Sequence, residues 1–348
     1  MILDAETLAL SPSVDVLVRE TDDTGLPGVL KTELFASVVE LATNTCATVD
    51  EAVDALATLR ASAGEIAGRH GLRMAGTGTH PFSPPEEQKI VKEQRYVEFV
   101  EYAGPSARRQ GVSGLHVHIG MESADACYQA LEGVLPWLPL VLALSANSPY
   151  LAGVETGLAS NRAEVLAQLP RSGAPPAFGS YQAWEAWIER LVALGVADGY
   201  TRFWWDIRPH PNLGTLEIRM PDQPTELEKT AAFAALLQAL SRALLEREQP
   251  EVEPAQRGDY VQNRWAALRF GPRAELIHPD GDRLVSVPKL CEELLTLVGP
   301  AAQELGTTEV LGRLVPATCE GERQLEIGRA EGLRAVCADL ARRTVRSG

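Results

Sequence analysis

Gly114-Leu115-His116-Val117-His118-Ile119-Gly120 places two histidines two residues apart in a stretch otherwise made of aliphatic residues and glycine. In an extended strand successive side chains point to opposite faces, so His116 and His118 share one side, with Cα atoms about 6 to 7 Å apart, while Val117 and Ile119 share the other. A second stretch, Trp204-Trp205-Asp206-Ile207-Arg208-Pro209-His210-Pro211 followed by Gly214-Thr215-Leu216-Glu217-Ile218-Arg219, repeats the pattern. It reads as two strands joined by a turn at Pro211-Asn212-Leu213-Gly214, with Glu217 and Arg219 on one face and Leu216 and Ile218 on the other. Three of the six histidines lie in these segments. So many ionisable groups on strands rich in Trp and Ile would be costly to bury unless they met one another, a cation or a charged ligand.

The residue types narrow that ligand. Carboxylate and imidazole beside arginine suit a hard divalent cation, magnesium or manganese, holding phosphate. Arg208 and Arg219, with Arg162 and Arg264 as further candidates, offer forks that match phosphate or carboxylate oxygens and stay charged at any relevant pH. Phosphoryl transfer is the chemistry this combination serves, since there the protein mainly positions groups and neutralises charge. Neither a G-x-x-x-x-G-K-[ST] loop nor a G-x-S-x-G elbow occurs, and Gly76-Thr77-Gly78-Thr79 replaces neither. A zinc hydrolase built on His116, His118 and His210 is a competing reading of the same histidines.

Outward from these motifs, the 348 residues carry 32 Lys and Arg against 47 Asp and Glu, a net charge of -15 that argues against nucleic acid or an anionic membrane as partner. The five cysteines are widely spaced, without a C-x-x-C pair, and are expected as reduced thiols. Met1-Ile-Leu-Asp-Ala-Glu has neither the basic nor the apolar segment of a signal peptide, so a cytoplasmic location is expected. Val134 to Ala146, the most apolar run, contains Pro136 and Pro139 and reads as a buried helix.

Periodicity predicts helix from Thr32 to Arg69, as two helices or one bent one, with Glu33 a solvated acid and Glu40 an acid inside an apolar run that needs a cation. Gly71 to Pro81 reads as a strand ending in a glycine-rich turn. Further helices are expected at Glu86 to Ala103, Ser123 to Ser145 as a pair, Tyr181 to Leu194 with Trp184 and Trp187 facing the core, and Glu226 to Arg247. Pro250 to Asp259 reads as a polar connection, and the remainder as helices and short loops. With no repeat or composition break, a single α+β domain over residues 1–348 is expected, its strands mainly in the first two thirds.

Several strings in order along the chain carry a family resemblance: Val39-Glu-Leu-Ala-Thr43, Gly76-Thr-Gly-Thr-His-Pro-Phe82, Arg95-Tyr96, GLHVHIG at 114–120, Leu144-Ser-Ala-Asn-Ser-Pro149, WWDIRPHP at 204–211, GTLEIR at 214–219 and Asn263-Arg-Trp265. The chain resembles the carboxylate-amine ligases related to glutamate-cysteine ligase type 2. The resemblance implies a glutamine-synthetase-like catalytic fold, a mainly antiparallel curved sheet with helices on its outer face. It further implies an ATP-dependent ligase in which ATP phosphorylates a glutamate-like carboxylate and an amine such as cysteine captures the acyl phosphate. By matching position it implies Mg²⁺ on Glu40, His116 and Glu217, and the transferred phosphoryl group against Arg219. His118, Asp206, Arg208 and His210 would line the site, Arg162 and Arg95 would reach amino-acid carboxylates, and Arg264 would serve nucleotide binding. A homodimer is the expected assembly. Family members carry an initial strand Gly-x-Glu-Glu-Glu-x-Phe whose acids serve the metals, and Met1-Ile-Leu-Asp-Ala-Glu-Thr corresponds to the turn after it. A site lacking those acids would hold Mg²⁺ more weakly, which gives the second expectation, a catalytically reduced paralogue that binds nucleotide or amino acid without turnover.

Overall fold

Both motif segments meet in one ladder. In the computed structural model, which describes residues 1–21, 25–247, 254–314 and 318–345, strand Thr215–Ile218 lies between Val117–Gly120 and Ile207–His210, antiparallel to each. The register sets His118, Glu217 and Arg208 side by side in one row, and Gly120, Thr215 and His210 two rows away on the same face. The alternate rows, Val117 with Ile218 and Ile207, and Ile119 with Leu216 and Pro209, form the opposite face. Leu216, Ile218 and Ile207 are fully buried there, under helices Ala124–Val134 and Leu227–Leu245. Gly214 turns the chain between the two strands in the left-handed region, φ 63°, which glycine adopts without steric cost.

Every ladder among the described strands is antiparallel, as the α+β reading expects, but the strands form short ladders of two or three. The helices at Ala124–Val134, Leu138–Ser145, Tyr181–Ala193 and Leu227–Leu245 lie where periodicity puts them, while the one expected from Glu86 to Ala103 begins only at Gln94. Ala124–Ser145 is long and apolar enough to cross a membrane by composition, yet most of it is buried inside the protein, as a core helix is. Trp184 is buried with Phe203 and Trp205, and Trp187 packs on the same aromatic cluster.

Three local expectations are corrected. Thr32 to Arg69 is not helical throughout: Gly28–Thr32 and Val39–Thr43 pair as a hairpin, and the helix spans Val49–Arg69. The β-branched residues Thr32, Val38, Val39 and Thr43 favour the extended backbone. Thr48 marks the true helix start, its hydroxyl accepting from Glu51 N–H at 3.1 Å while the Glu51 carboxylate accepts from Ala47 N–H at 2.7 Å. The Pro250 to Asp259 connection is helix from Pro254 onward, where proline fits the first turn; residues 250–253 lie outside the described residues. A hairpin, Glu275–Ile277 with Leu284–Ser286, interrupts the C-terminal helices.

Those C-terminal helices lock onto the sheet's backing helix. Glu320 accepts from the backbone N–H of Thr225 at 2.8 Å and of Glu226 at 3.4 Å, ahead of the first turn of Leu227–Leu245, while Arg343 holds the same carboxylate at 2.9 Å. Since Leu216 sits in the centre of the buried face, Leu216→Ala is expected to lower stability by about 2–5 kcal/mol. Urea unfolding followed by circular dichroism checks this.

Candidate functional site

The polar face of the ladder brings six of the expected residues together. Glu217 is the centre: its side chain is 3% exposed, Arg208 Nε donates to Oε2 at 2.6 Å, and Arg219 Nη1 pairs with Oε1. His116 Nδ1 and His118 Nε2 stand 4.0 and 3.9 Å from that same Oε1. His118 also meets Thr215 Oγ1 at 3.0 Å through Nδ1 and packs edge-on to His210, ring centres 5.3 Å apart. Tyr200, unremarked in the sequence, bonds His210 Nδ1 through its hydroxyl at 3.3 Å. Arg208 Nη1 donates to the carbonyls of Phe203 and Thr201, at 2.8 and 3.1 Å, fixing the turn that carries Tyr200.

The electrostatics follow from these contacts. Burial alone would raise the Glu217 carboxyl, but Arg219 and Arg208 outweigh it and hold the group well below the usual carboxylate range. His116 moves the other way: burial first, then Arg219, press it well below 6.5 and keep the ring neutral. Its side chain nevertheless remains 37% exposed. His118 is lowered by burial too, against the pull of Glu217.

Glu40 arrives by a different route from the one expected. It lies on the Val39–Thr43 strand opposite Lys31 and hydrogen-bonds Glu33. Glu33, taken from sequence as a solvated helix acid, is half-buried, and burial followed by the neighbouring Glu40 pushes its carboxyl up to about 7, with Arg219 acting in opposition. The hairpin thus presents two crowded carboxylates within the field of Arg219. Only the seven-residue spacing hinted at Glu33, and that spacing was read on the wrong secondary structure.

Four expected residues stand apart from this face. Asp206 is buried, accepting from Tyr260 Oη at 2.7 Å and Arg264 Nε at 2.9 Å, and Arg264 donates onward to Ala163 O at 3.0 Å. Arg162, 2% exposed, donates to the carbonyls of Arg219 and Met220 at 2.8 and 3.0 Å. Arg95 lies on the surface, pairing with Glu93 at 2.9 Å and covering the Tyr96 ring. A cavity of about 260 Å³ among the C-terminal helices, lined by Lys229, Cys319, Glu320 and Arg343, includes no residue of the polar face.

Among the described residues no three His, Cys, Asp or Glu side chains converge as a ready metal cage, and both Glu217 oxygens are occupied by guanidinium groups. The donor chemistry still fits a hard cation at the hairpin, because Glu33 and Glu40 bring two carboxylates together there.

Known proteins resemble this chain along most of its length. A family model described as glutamate-cysteine ligase family 2 matches residues 1–333. A Rubrobacter xylanophilus protein provisionally named glutamate–cysteine ligase 2-3 is 40% identical over 343 residues, 97% of this chain and 90% of its own length. A Herpetosiphon aurantiacus protein provisionally named glutamate–cysteine ligase 2 is 33% identical over 350 residues, covering 99% and 91%. Among solved structures, the glutamate–cysteine ligase of Francisella tularensis, in complex with AMP, superposes with TM-score 0.75 at 15% identity over 99% of this chain and 86% of its own. A Pup ligase in complex with ADP gives TM-score 0.53 at 14% identity over 93% and 70%. At these identities the two structures establish a shared fold, the glutamine-synthetase-like ligase fold.

The raised Glu33 carboxyl has a measurable consequence. A group whose folded-state value lies above its unfolded value of 4.5 holds its proton better in the native state, so stability falls as pH rises from about 4.5 through about 7. With chelator present, Glu33→Gln is expected to gain melting temperature over wild type at pH 8 and to lose that advantage near pH 4.5. Paired thermal melts across that range decide it.

Proposed function

Since the chain belongs to glutamate-cysteine ligase family 2, we propose that it is an ATP-dependent carboxylate–amine ligase joining a glutamate-like carboxylate to an amine such as that of cysteine. The observation that carries the reading is the row His118, Glu217 and Arg208 flanked by His116 and Arg219, where two guanidinium groups meet one buried carboxylate. With a divalent cation on the neighbouring acid pair, such a face would neutralise an incoming polyphosphate.

The chemistry runs in two displacements. A carboxylate oxygen of the acid attacks the γ-phosphorus of ATP and the bond to ADP breaks, giving an acyl phosphate. The amine nitrogen then attacks the acyl carbon, loses a proton, and phosphate leaves. Arg219, 19% exposed at its side chain, is the guanidinium placed to meet the transferred phosphoryl group. Arg208 keeps Glu217 and the Tyr200 turn in place, while His118 and His210, the latter oriented by Tyr200, line the adjoining surface where the amine would arrive. Glu40 and His116, with Glu33 beside Glu40, would hold Mg²⁺, whose charge offsets that of the phosphates when bound; Glu217 would join them on releasing a guanidinium. Neutral His116 suits a ligand role, since only the unprotonated ring nitrogen has a lone pair to give. Arg162, Arg264 and Arg95 do not reach this face, so substrate carboxylates fall to other groups.

The occupation of both Glu217 oxygens by arginine favours a second reading, a protein that binds nucleotide without turning it over. Release of ADP and phosphate that requires both glutamate and an amine separates the two. On the ligase reading, Glu217→Gln is expected to reduce that release by at least about a hundredfold, on the scale of losing one preorganised charge at a phosphoryl-transfer site. Undiminished turnover in the variant removes Glu217 from the mechanism, and calorimetric heat from Mg-ATP with no ADP formed favours binding alone.

A further inference from the structure

We infer that Arg162, paired with the fully buried Asp222, is a positioning residue that acts through Arg219. The inference rests on the proposed reading of Arg219 as the group that meets phosphate, and deepens it. The peptide that carries Arg219 is tied on both sides. Its N–H donates to Asp206 O at 2.9 Å, and its carbonyl accepts from Arg162 Nη2 at 2.8 Å, while Nη1 holds the next carbonyl, Met220, at 3.0 Å. Both ties lead to the same helix, Asn161–Leu166. Arg162 belongs to it, and Asp206 reaches it through Arg264, which bonds Ala163 O. Arg219 therefore projects from a backbone that two arginines clamp from beneath.

Asp222 sets the direction of the clamp. Its Oδ1 accepts from Ser160 Oγ at 2.8 Å and its Oδ2 from Ser148 Oγ at 2.6 Å and Asn147 N–H at 2.8 Å, with Arg162 Nη1 at 3.7 Å from Oδ1. Ser148 Oγ in turn accepts the Arg162 N–H at 3.1 Å, closing the circuit.

Two glycines of the quoted motifs are moulded to this pair. A Cβ added at Gly114 would fall onto the Arg162 guanidinium, 2.6 Å from Nε and nearer still to Cζ and Nη2. One added at Gly78 would lie 2.8 Å from Ser148 Oγ and 2.9 Å from Asp222 Oδ2. The guanidinium thus occupies the space a side chain would fill in the His-x-His strand, and it tolerates an unpartnered Nε to do so. Burying a cation for packing alone is a poor use of it, because apolar residues of similar volume commonly serve as well. A planar fork reading two successive carbonyls supplies what they cannot, a fixed orientation of the peptide.

Calorimetric titration of Mg-ATP into wild type, Arg162→Lys, Arg219→Lys and the double variant tests this, with thermal melts of all four. A lysine keeps the charge but offers a single point where arginine offers a fork. Arg219→Lys is expected to weaken affinity about tenfold, the loss of one charge-assisted hydrogen bond, and Arg162→Lys to weaken it several-fold. The double variant should lie within about twofold of Arg219→Lys, since a residue acting through another adds nothing once that one is gone. Losses that simply multiply overturn the positioning role and leave the Arg219 reading intact. Unchanged affinity in Arg219→Lys overturns that reading and the positioning role with it. Should Arg162→Lys fail to fold, Asp222→Asn takes its place in the same cycle, with the same two outcomes deciding.

Discussion

The structure turns on the Glu217 carboxylate, buried on the central strand and gripped by Arg208 on one side and Arg219 on the other. A carboxylate taken from water at that depth is expensive alone, and removing one partner of such a group leaves an uncompensated charge. Its register explains the motif that carries it: Glu217 stands opposite Arg208 in one neighbouring strand and His118 in the other. A slip of one residue would drive Glu217 into the face packed under Ala124–Val134 and Leu227–Leu245 and expose Leu216 and Ile218. The charge on one face and the aliphatic residues on the other specify the same pairing, so the ladder has a single solution.

The polar face is held by a second, buried layer of charge. Asp222, Arg162, Asp206 and Arg264 lie under the ladder, each satisfied largely by backbone or hydroxyl groups of segments far away in sequence. Gly76-Thr77-Gly78-Thr79 and Asn147-Ser148 belong to this layer: Thr77 Oγ1 bonds Asn147 O at 2.8 Å, and Gln324 Nε2, from the C-terminal helices, donates to Thr77 Oγ1 at 3.1 Å and to Asn147 Oδ1 at 2.7 Å. Half-satisfied networks of this kind cost more than an apolar core, whereas closed ones fix one arrangement.

What was legible in the sequence follows from how local the cause is. The alternation in GLHVHIG and GTLEIR is a property of single strands, so the faces of His116, His118, Glu217 and Arg219 could be assigned from spacing. The hairpin at Glu33 and Glu40 could not, because Leu34, Val38 and Leu41 satisfy a helical period as well as a strand, and the deciding partner Lys31 lies on the other arm. Motif strings also conceal two kinds of need. Arg162 and Arg264 look like ligand groups, yet they serve backbone carbonyls. Asn263, within another family string, clasps Ile277 by both its N–H and C=O at 2.7 Å and holds the late hairpin to its helix. A sequence shows that a guanidinium or amide is present; only packing reveals whether it faces outward or inward.

The chain's charge of -15 opposes an anionic ligand at long range, so the polar face has to act locally. Exposed charges farther than about 8 to 10 Å are largely screened at physiological ionic strength, whereas groups as enclosed as Arg208 and Arg219 are not. There the two arginines grip Glu217, Arg219 also acts on Glu33 with Glu40 beside it, and His116 and His118 are kept from adding positive charge. The sign of the site is then decided at the hairpin. While Glu33 carries a proton the face is close to balanced; ionised, the acid pair turns it against phosphate. A divalent cation held there would restore the excess of positive charge and relieve the crowding of Glu33 by Glu40 in the same step. On the ligase reading, cation and nucleotide would strengthen one another's binding by an equal factor, because any free energy that the first supplies to the second is returned in the reverse order.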